Sequence, residues 1–535
     1  DAYNTAIGYN AGYPITTGIN NTIIGGLAGD AITTGNYNVA VGNHALGAED
    51  AHSKNTAIGY GTLSVQNAGA DAHNTGVGYL AGSAVSTGTG NTLVGGIAGD
   101  ALTTGSDNVA LGYNTLTTED TGSRNVAIGV SALANLNYNG NGYNIAVGYN
   151  AGIYITSGTV NTIVGANAGD ALTLGSYNTA LGYAALSSET EHGYNTAVGH
   201  QTLATLTAGD HAYNVAVGHQ AGTSMTTGIN NLTIGAEAGL LLTTGSYNVA
   251  VGHGALSTED TGSRSIGIGW AALKRQDYNG QALNVAIGHL AGEYITTGIQ
   301  NTLIGGLAGD NLTTGSSNTA VGYGALTTET DTGRNVAIGR NALFSQNAGA
   351  DAYNTAVGYE AGVVISTGVE NTIMGGLAGD ALTTGSNNVA IGYNALSTED
   401  TGGRNVAIGK AALYSLDAGA DAFNVAVGYN AGYWMTTGQY NVLLGAYAGD
   451  NLTTGSQNIA IGYGALGTED AHGRNVAIGQ AALSTLNAGV DAYNTAVGWS
   501  AGMAMSTGLF NTIVGGVAGD GLTTGTGNTI MGHDA

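Results

Sequence analysis

A short alternation of polar and apolar residues returns along the whole chain. Its common form is Asn, then Thr or Val, then a small residue, then Ile, Val or Leu, then Gly, as in residues 4–8. Thirty-one copies occur, and only the copy that begins at Ser265 lacks the leading Asn. Apolar side chains two residues apart are typical of a β-strand. Each copy therefore predicts one strand of four or five residues, followed by a second short segment such as residues 44–46.

The spacing of these copies predicts how the strands are arranged. Three successive intervals between motif starts are seventeen positions long and the fourth is nineteen. A unit of four coils therefore repeats without slippage. Such a register indicates a stacked solenoid. Helix is not expected, because apolar spacings of three and four are missing and Gly is frequent. We expect an all-β fold in which residues 1–535 form one continuous array without a separate globular domain, a rod of roughly 150 Å at a rise of about 4.8 Å per coil.

The leading Asn recurs at the same corner of every coil. Stacked Asn amides can bond to one another or to nearby backbone, whereas a simple turn former would make no such ladder. In either case the role is structural. In the first eight coils this column comprises Asn4, Asn21, Asn38, Asn55, Asn74, Asn91, Asn108 and Asn125.

The third motif position is usually bulky in the second coil of a unit, where the other coils mostly have Ala. Strand alternation places this position on the face opposite to positions two and four, which we expect to face the core. An apolar stripe on the outer face predicts a subunit interface, and the alternative is a coil that is locally repacked. The stripe comprises Ile23, Leu93, Ile163, Leu303, Ile373, Leu443 and Ile513.

Composition narrows the range of partners. The chain has 35 acidic residues against 10 Lys and Arg, a net charge of −25, and no Cys. Nucleic acid is not expected, because phosphate binding needs a concentrated basic surface. Membrane insertion is not expected either, because no apolar run approaches the roughly 18–20 residues of a span. The absence of Cys excludes disulfides and thiolate metal sites.

Candidate catalytic and metal-binding residues are few. Glu-Asp pairs such as residues 119–120 recur with an Arg a few positions later, which we interpret as surface ion pairs rather than as the paired carboxylates of a glycosidase. We expect no catalytic residues and no enzyme activity. An Asp recurs in the second coil, from Asp30 to Asp520, and suggests bound calcium as an alternative to turn-capping acids. Our expectation is that the chain holds no cofactor and no metal.

An aromatic column follows the motif Gly in many coils. Exposed rings can offer flat faces to sugars, although such rings more often pack over loops. The column includes Tyr9, Tyr60, Tyr113, Tyr149, Tyr359 and Trp499. A host-surface glycan or a protein receptor is therefore a possible partner.

Several coils resemble a known family. Residues 38–42, 125–129 and 405–409 resemble the NSVAIG coils of YadA-like heads in trimeric autotransporter adhesins, and residues 354–359 resemble repeat arrays of phage tail-fibre proteins. The resemblance covers essentially the whole chain and implies a left-handed parallel β-roll with three chains side by side. The chain departs from the adhesin pattern in its longer coils and in lacking Ser after the Asn.

Together these features predict a non-enzymatic structural or adhesive fibre module, the shaft or head of a surface adhesin or tail fibre. We expect a homotrimer outside the cell, on a cell surface or a virion. One alternative is the subunit of a self-assembling filament or sheath, which the lack of a visible cap at either end favours. Another is a ligand-binding solenoid such as an ice-binding protein, although the Thr pairs in Gly-containing turns count against it.

Overall fold

A computed structural model describes residues 2–535 and confirms an all-β parallel solenoid with coils of about seventeen residues. These residues contain no α-helix. They form two compact units, of which the first ends at Arg264 and the second comprises Ser265–Ala535. A single array without a separate domain stays a prediction.

The first unit contains fifteen strands, one for each coil and each three residues long. Every strand pairs in parallel with the next, and equivalent motif positions lie side by side. The strands are β1 Thr5–Ile7, β2 Thr22–Ile24, β3 Val39–Val41, β4 Thr56–Ile58, β5 Thr75–Val77, β6 Thr92–Val94, β7 Val109–Leu111, β8 Val126–Ile128, β9 Ile145–Val147, β10 Thr162–Val164, β11 Thr179–Leu181, β12 Thr196–Val198, β13 Val215–Val217, β14 Leu232–Ile234 and β15 Val249–Val251.

The second unit contains sixteen strands of the same length, with the same parallel in-register pairing. They are β16 Ile266–Ile268, β17 Val285–Ile287, β18 Thr302–Ile304, β19 Thr319–Val321, β20 Val336–Ile338, β21 Thr355–Val357, β22 Thr372–Met374, β23 Val389–Ile391, β24 Val406–Ile408, β25 Val425–Val427, β26 Val442–Leu444, β27 Ile459–Ile461, β28 Val476–Ile478, β29 Thr495–Val497, β30 Thr512–Val514 and β31 Thr529–Met531.

The strands are shorter than predicted, and the predicted second segment is not a strand. Around residues 44–46 the backbone forms turns, with φ of 58° at His44 and 53° at Leu46. Alternate residues in the left-handed region prevent an extended ladder. The turns still join neighbouring coils, since the N–H of Gly29 donates to the carbonyl of Ala45 at 2.9 Å.

The Gly that ends each strand is required by backbone conformation and by space. Gly25 has a φ of 136°, and a Cβ at this position would lie 2.6 Å from the carbonyl of Gly42 in the next coil. Two Gly backbones stacked this closely leave no room for a side chain. The Gly column therefore sets how tightly the coils stack.

The interior holds the third motif position, so the predicted orientation of the strands is wrong. The middle residue of almost every strand is fully buried, whereas positions two and four lie partly exposed on the outer face. The seven bulky residues assigned to a subunit interface are all 0% exposed and cannot contact a partner there: Ile23, Leu93, Ile163, Leu303, Ile373, Leu443 and Ile513.

The bulky residue fills space that glycines leave open. A Cβ on Gly29 would lie 3.1 Å from Cδ1 of Ile23, and one on Gly12 would lie 2.9 Å from the same atom. The third coil has the opposite arrangement. Its third motif position holds the small Ala40, and the bulky Leu46 is buried instead. The second coil thus places its volume on the strand, and the third and fourth coils place it on the opposite wall, at Leu46 and Leu63.

Candidate functional site

The Asn column forms a continuous buried ladder within each unit. The N–H of Asn21 donates to Oδ1 of Asn4 at 2.8 Å, and Nδ2 of Asn21 donates to the carbonyl of Gly35 at 2.8 Å. Oδ1 of Asn21 then accepts the N–H of Asn38 at 2.9 Å. One side chain thereby satisfies backbone groups in two coils. The column stabilises the corner of the fold and offers nothing to a ligand.

In the copy without Asn, a Gln links the Ser to the Asn of the next coil. The hydroxyl of Ser265 accepts a hydrogen bond from Nε2 of Gln276 at 2.7 Å, and Oε1 of Gln276 accepts one from Nδ2 of Asn284 at 2.8 Å. Gln276 is fully buried. Gln66 and Gln346 bond the Asn of the next coil in the same way in coils that keep the leading Asn, so the Gln contact is not specific to the Ser copy.

The Glu of each acidic loop is buried and does not form a surface ion pair, which corrects our interpretation. Glu399 is 0% exposed, and its two oxygens accept the N–H of Gly402 at 2.6 Å and of Ala418 at 3.1 Å. The carboxylate thus caps its own loop and that of the next coil. The buried members are Glu49, Glu119, Glu189, Glu259, Glu329, Glu399 and Glu469.

Burial shifts the protonation of two acidic columns. Loss of hydration raises the pKa of Glu399, and the N–H bonds from Ala418 and Gly402 oppose this only in part. Burial likewise raises the pKa of Glu49, Glu119, Glu329 and Glu469. In the second coil, burial raises the pKa of Asp310 to about 6. These acids favour the protonated form more than exposed ones do.

In four of the acidic loops the basic residue pairs with an acid in the following coil, whereas Arg124 lies 3.8 Å from Asp107 in the preceding coil. Arg474 lies 2.9 Å from Asp491, and Lys54 lies 2.8 Å from Asp71. Both partners are exposed by 42% or more, so each pair contributes little to the stability of the fold. Arg474 also stacks 5.2 Å from the ring of Tyr493.

Four acidic loops group side chains that could hold a cation. Their ligand atoms lie within 4.8 Å of one another in the sets Glu49, Asp50 and His52; Glu469, Asp470 and His472; Glu259, Asp260 and Asp277; and Glu399, Asp400 and Asp417. Glu399 and Glu49 already accept backbone N–H groups of their own loops. The grouping is therefore accounted for by loop capping, and calcium stays an untested alternative.

The aromatic column lies on the surface. Its predicted members are 48% to 76% exposed: Tyr9, Tyr60, Tyr113, Tyr149, Tyr359 and Trp499. The rings do not converge on one site. Tyr60 stacks on Tyr79 at 5.6 Å, and Arg340 lies 5.8 Å from the ring of Tyr359. The column is a row of ring contacts between adjacent coils.

The outer strand face exposes a row of uncharged side chains. Positions two and four point outward, and Leu111, Leu181, Met374 and Leu444 are each more than 40% exposed. None of the thirty-one strands described contains a charged residue. Single exposed apolar residues are normal, but a contiguous row of them marks an interaction surface.

Sequence analysis missed two grooves on the turn side of the coils, which share an aromatic residue and two Thr at the same coil positions. One has a volume of about 580 Å³ and is lined by Trp434, Thr436, Asn451, Thr453, Thr468, Asp470 and Asn487. The other has a volume of about 560 Å³ and is lined by Thr118, Asn135, Asn137, Tyr154, Thr156, Ala171 and Thr173. The sequence carried one signal for these grooves. Tyr154, Tyr294 and Trp434 occupy the same coil position in every second four-coil unit.

Comparison with models of known protein families and with curated protein sequences finds no match. Within residues 2–535, no helix is long and apolar enough to cross a membrane. The proposals below therefore depend on the surfaces of this chain.

Proposed function

We propose that this chain is a non-enzymatic structural and adhesive fibre module that associates side by side with further copies of itself. The observation that carries this proposal is the uncharged apolar outer face of the strands. Copies that each carry a net charge of −25 repel one another. They approach with least repulsion, and bury most apolar surface, when these uncharged faces meet.

The size of this face supports a stable contact. In the second unit, sixteen strands stacked at about 4.8 Å present a face roughly 70 Å long and about 10 Å wide. This is on the order of 700 Å², before the flanking aromatic side chains are included, and stable interfaces bury about 800 Å² on each partner. Because the pattern recurs every four coils, two copies in the same register match along the whole face.

Within each unit the coils are hydrogen-bonded to their neighbours, which supports a rigid module. The resemblance to adhesin and tail-fibre coils adds the proposal of three chains and of display outside a cell, on its surface or on a virion. A fibre of this kind provides reach and a repeating surface for a receptor.

Solution mass by light scattering tests self-association. We expect three times the 52.8 kDa of one chain. The double variant Val425→Glu/Val442→Glu places charges on the outer face, where these residues are 36% and 37% exposed, and should lower the mass. The control Thr437→Glu/Thr454→Glu adds the same charge at exposed turns and should leave it unchanged. A single-chain mass for the parent would refute the proposal, and open-ended polymers would favour the filament.

Ice binding is a second candidate, and one observation favours it. Position two of the strands faces outward, and Thr occupies it in consecutive coils such as β10 to β12, at Thr162, Thr179 and Thr196. These Thr residues lie on strands rather than in turns. Thermal hysteresis of a dilute solution would support this function, and its absence would exclude it.

A further inference from the structure

The two turn-side grooves are built alike, and we call them the aromatic grooves. Trp434 and Tyr154 occupy the same coil position in two different four-coil units, and they are 54% and 56% exposed. Beside each ring lies a pair of Thr residues from two successive coils. One aromatic groove lies within the first unit and the other within the second.

The hydroxyl groups in these grooves are already committed as donors. In one groove, Oγ1 of Thr436 donates to the carbonyl of Thr453 at 3.1 Å, and Oγ1 of Thr453 donates to the carbonyl of Asp470 at 2.7 Å. A hydroxyl has one hydrogen and two acceptor lone pairs. Once it donates, it can only accept from a ligand. The Thr hydroxyls therefore present a row of acceptors, beside the side-chain amides of Asn451 and Asn487.

The other groove repeats this arrangement. Oγ1 of Thr156 donates to the carbonyl of Thr173 at 3.3 Å, and Oγ1 of Thr173 donates to the carbonyl of Thr190 at 3.0 Å. Thr118 likewise donates its hydroxyl hydrogen to the carbonyl of Ala134 at 2.7 Å. In both sites the Thr hydroxyls donate to backbone carbonyls, and an aromatic ring occupies the same coil position. The two sites are therefore expected to bind ligands of the same chemistry.

That chemistry combines many donors with a flat apolar surface. A ligand that suits an exposed ring beside a row of acceptors must carry several O–H groups and one face of C–H groups. Anionic ligands are disfavoured by the carboxylate of Asp470 in one groove and by the net charge of −25. Neutral sugars satisfy all three conditions.

We propose that the aromatic grooves bind neutral carbohydrate chains, with a sugar ring stacked on Trp434 or Tyr154 and its hydroxyls donating to the Thr oxygens. This assignment deepens the adhesive part of the proposed function by naming its ligand class. It does not use the outer strand face. Binding and self-association can therefore fail separately.

Affinity electrophoresis of the full chain tests the assignment. Native gels are cast with one soluble polysaccharide each: dextran, a mixed-linkage β-glucan, a galactomannan, and polygalacturonate as the anionic probe. We expect at least one neutral polysaccharide to slow the protein. The double variant Tyr154→Ala/Trp434→Ala should raise the dissociation constant from that gel at least tenfold. Trp499→Ala is the matched control, because Trp499 is 56% exposed outside both grooves.

Four results would overturn the assignment. These are no retardation by any neutral probe, retardation by polygalacturonate alone, an equal loss of binding in the Trp499→Ala control, or unchanged binding in the double variant. Unfolding midpoints equal to that of the parent would establish that the variants remain folded. Chain mass, measured on the same samples, reports self-association independently.

Discussion

The inner and outer residues of one strand differ in solvent exposure more than their side-chain types suggest. In β22, Ile373 is 0% exposed in the interior, while its neighbour Met374 is 41% exposed on the outer face. In β23, the inner residue is only Ala390, and the two outer residues are Val389 and Ile391. The larger side chains in β23 thus lie outside. Size and hydrophobicity therefore do not identify the core of this fold.

The reason lies in the short strand and in the wall that faces it. A three-residue strand turns one side chain inward, and the space available to it depends on the residues opposite. Where Gly379 lies opposite, Ile373 fits, and a Cβ on that Gly would lie 3.1 Å from its Cδ1. Where Leu396 is buried opposite, only Ala390 fits. The following predictions test this difference between inside and outside.

A charge should be least tolerated inside. Ala390→Asp places a carboxylate among fully buried apolar side chains, and we expect it to lower the free energy of unfolding by about 4 kcal/mol or more. Ile391→Asp, one residue away and facing outward, should cost less than about 1 kcal/mol in the single chain. The first transition of urea unfolding measures both. Equal losses would contradict the assigned orientation.

Removing one Asn from the ladder should cost nearly as much. Asn388→Ala leaves the N–H of Asn405 and the carbonyl of Gly402 without the partners that they have at 3.0 Å. Each such buried group costs roughly 1–3 kcal/mol. The exposed Asn347 provides the control, because Asn347→Ala should change the urea midpoint very little. An unchanged urea midpoint in Asn388→Ala would show that the ladder does not stabilise the corner.

Substitution by Ala should have very different effects on stability at two adjacent apolar residues. Ile373→Ala should destabilise by about 3 kcal/mol, because it empties the space that Ile373 fills beside Gly379. Met374→Ala removes a side chain that is 41% exposed and should cost less than about 1 kcal/mol in the single chain. Comparable effects on the thermal midpoint would refute the view that the third position forms the core.

Mild acid should stabilise the fold. Burial raises the pKa of Glu399 above its ordinary value of 4.5, so the folded chain binds this proton more tightly than the unfolded chain. Stability should therefore rise as pH falls from neutral through the raised pKa, and the gain should be complete near pH 4.5. The urea midpoint measured from pH 7.5 to 5 tests the sign. Glu399→Gln should reduce this slope, and a midpoint that falls with acid would contradict it.

Much of the fold follows from the repeat alone. The even spacing of Asn4, Asn21 and Asn38 predicts parallel stacked coils, and the structure confirms them. The inward face was not predictable from alternation, because alternation separates two faces without stating which one is packed. The glycines opposite the strand determine which face is packed, and they lie in other parts of the coil.

The candidate site was predicted less completely. The aromatic column, such as Tyr9 and Tyr113, was identified because it follows a fixed Gly, and its exposure agrees. The buried Glu399 was assigned to the surface, because a loop acid near an Arg usually is exposed. Trp434 was not singled out, since its coil position is aromatic only in every second four-coil unit from Tyr154 onward.

Cysteine labelling tests the inner and outer assignment most directly. The chain has no Cys, so Val389→Cys, Ala390→Cys and Ile391→Cys each introduce a single reactive thiol. The protein is diluted until light scattering gives a single-chain mass, and labelling is then compared with that of the unfolded chain. The account predicts rapid labelling at positions 389 and 391 and protection at position 390. Rapid labelling at 390 with protection at both neighbours would contradict it.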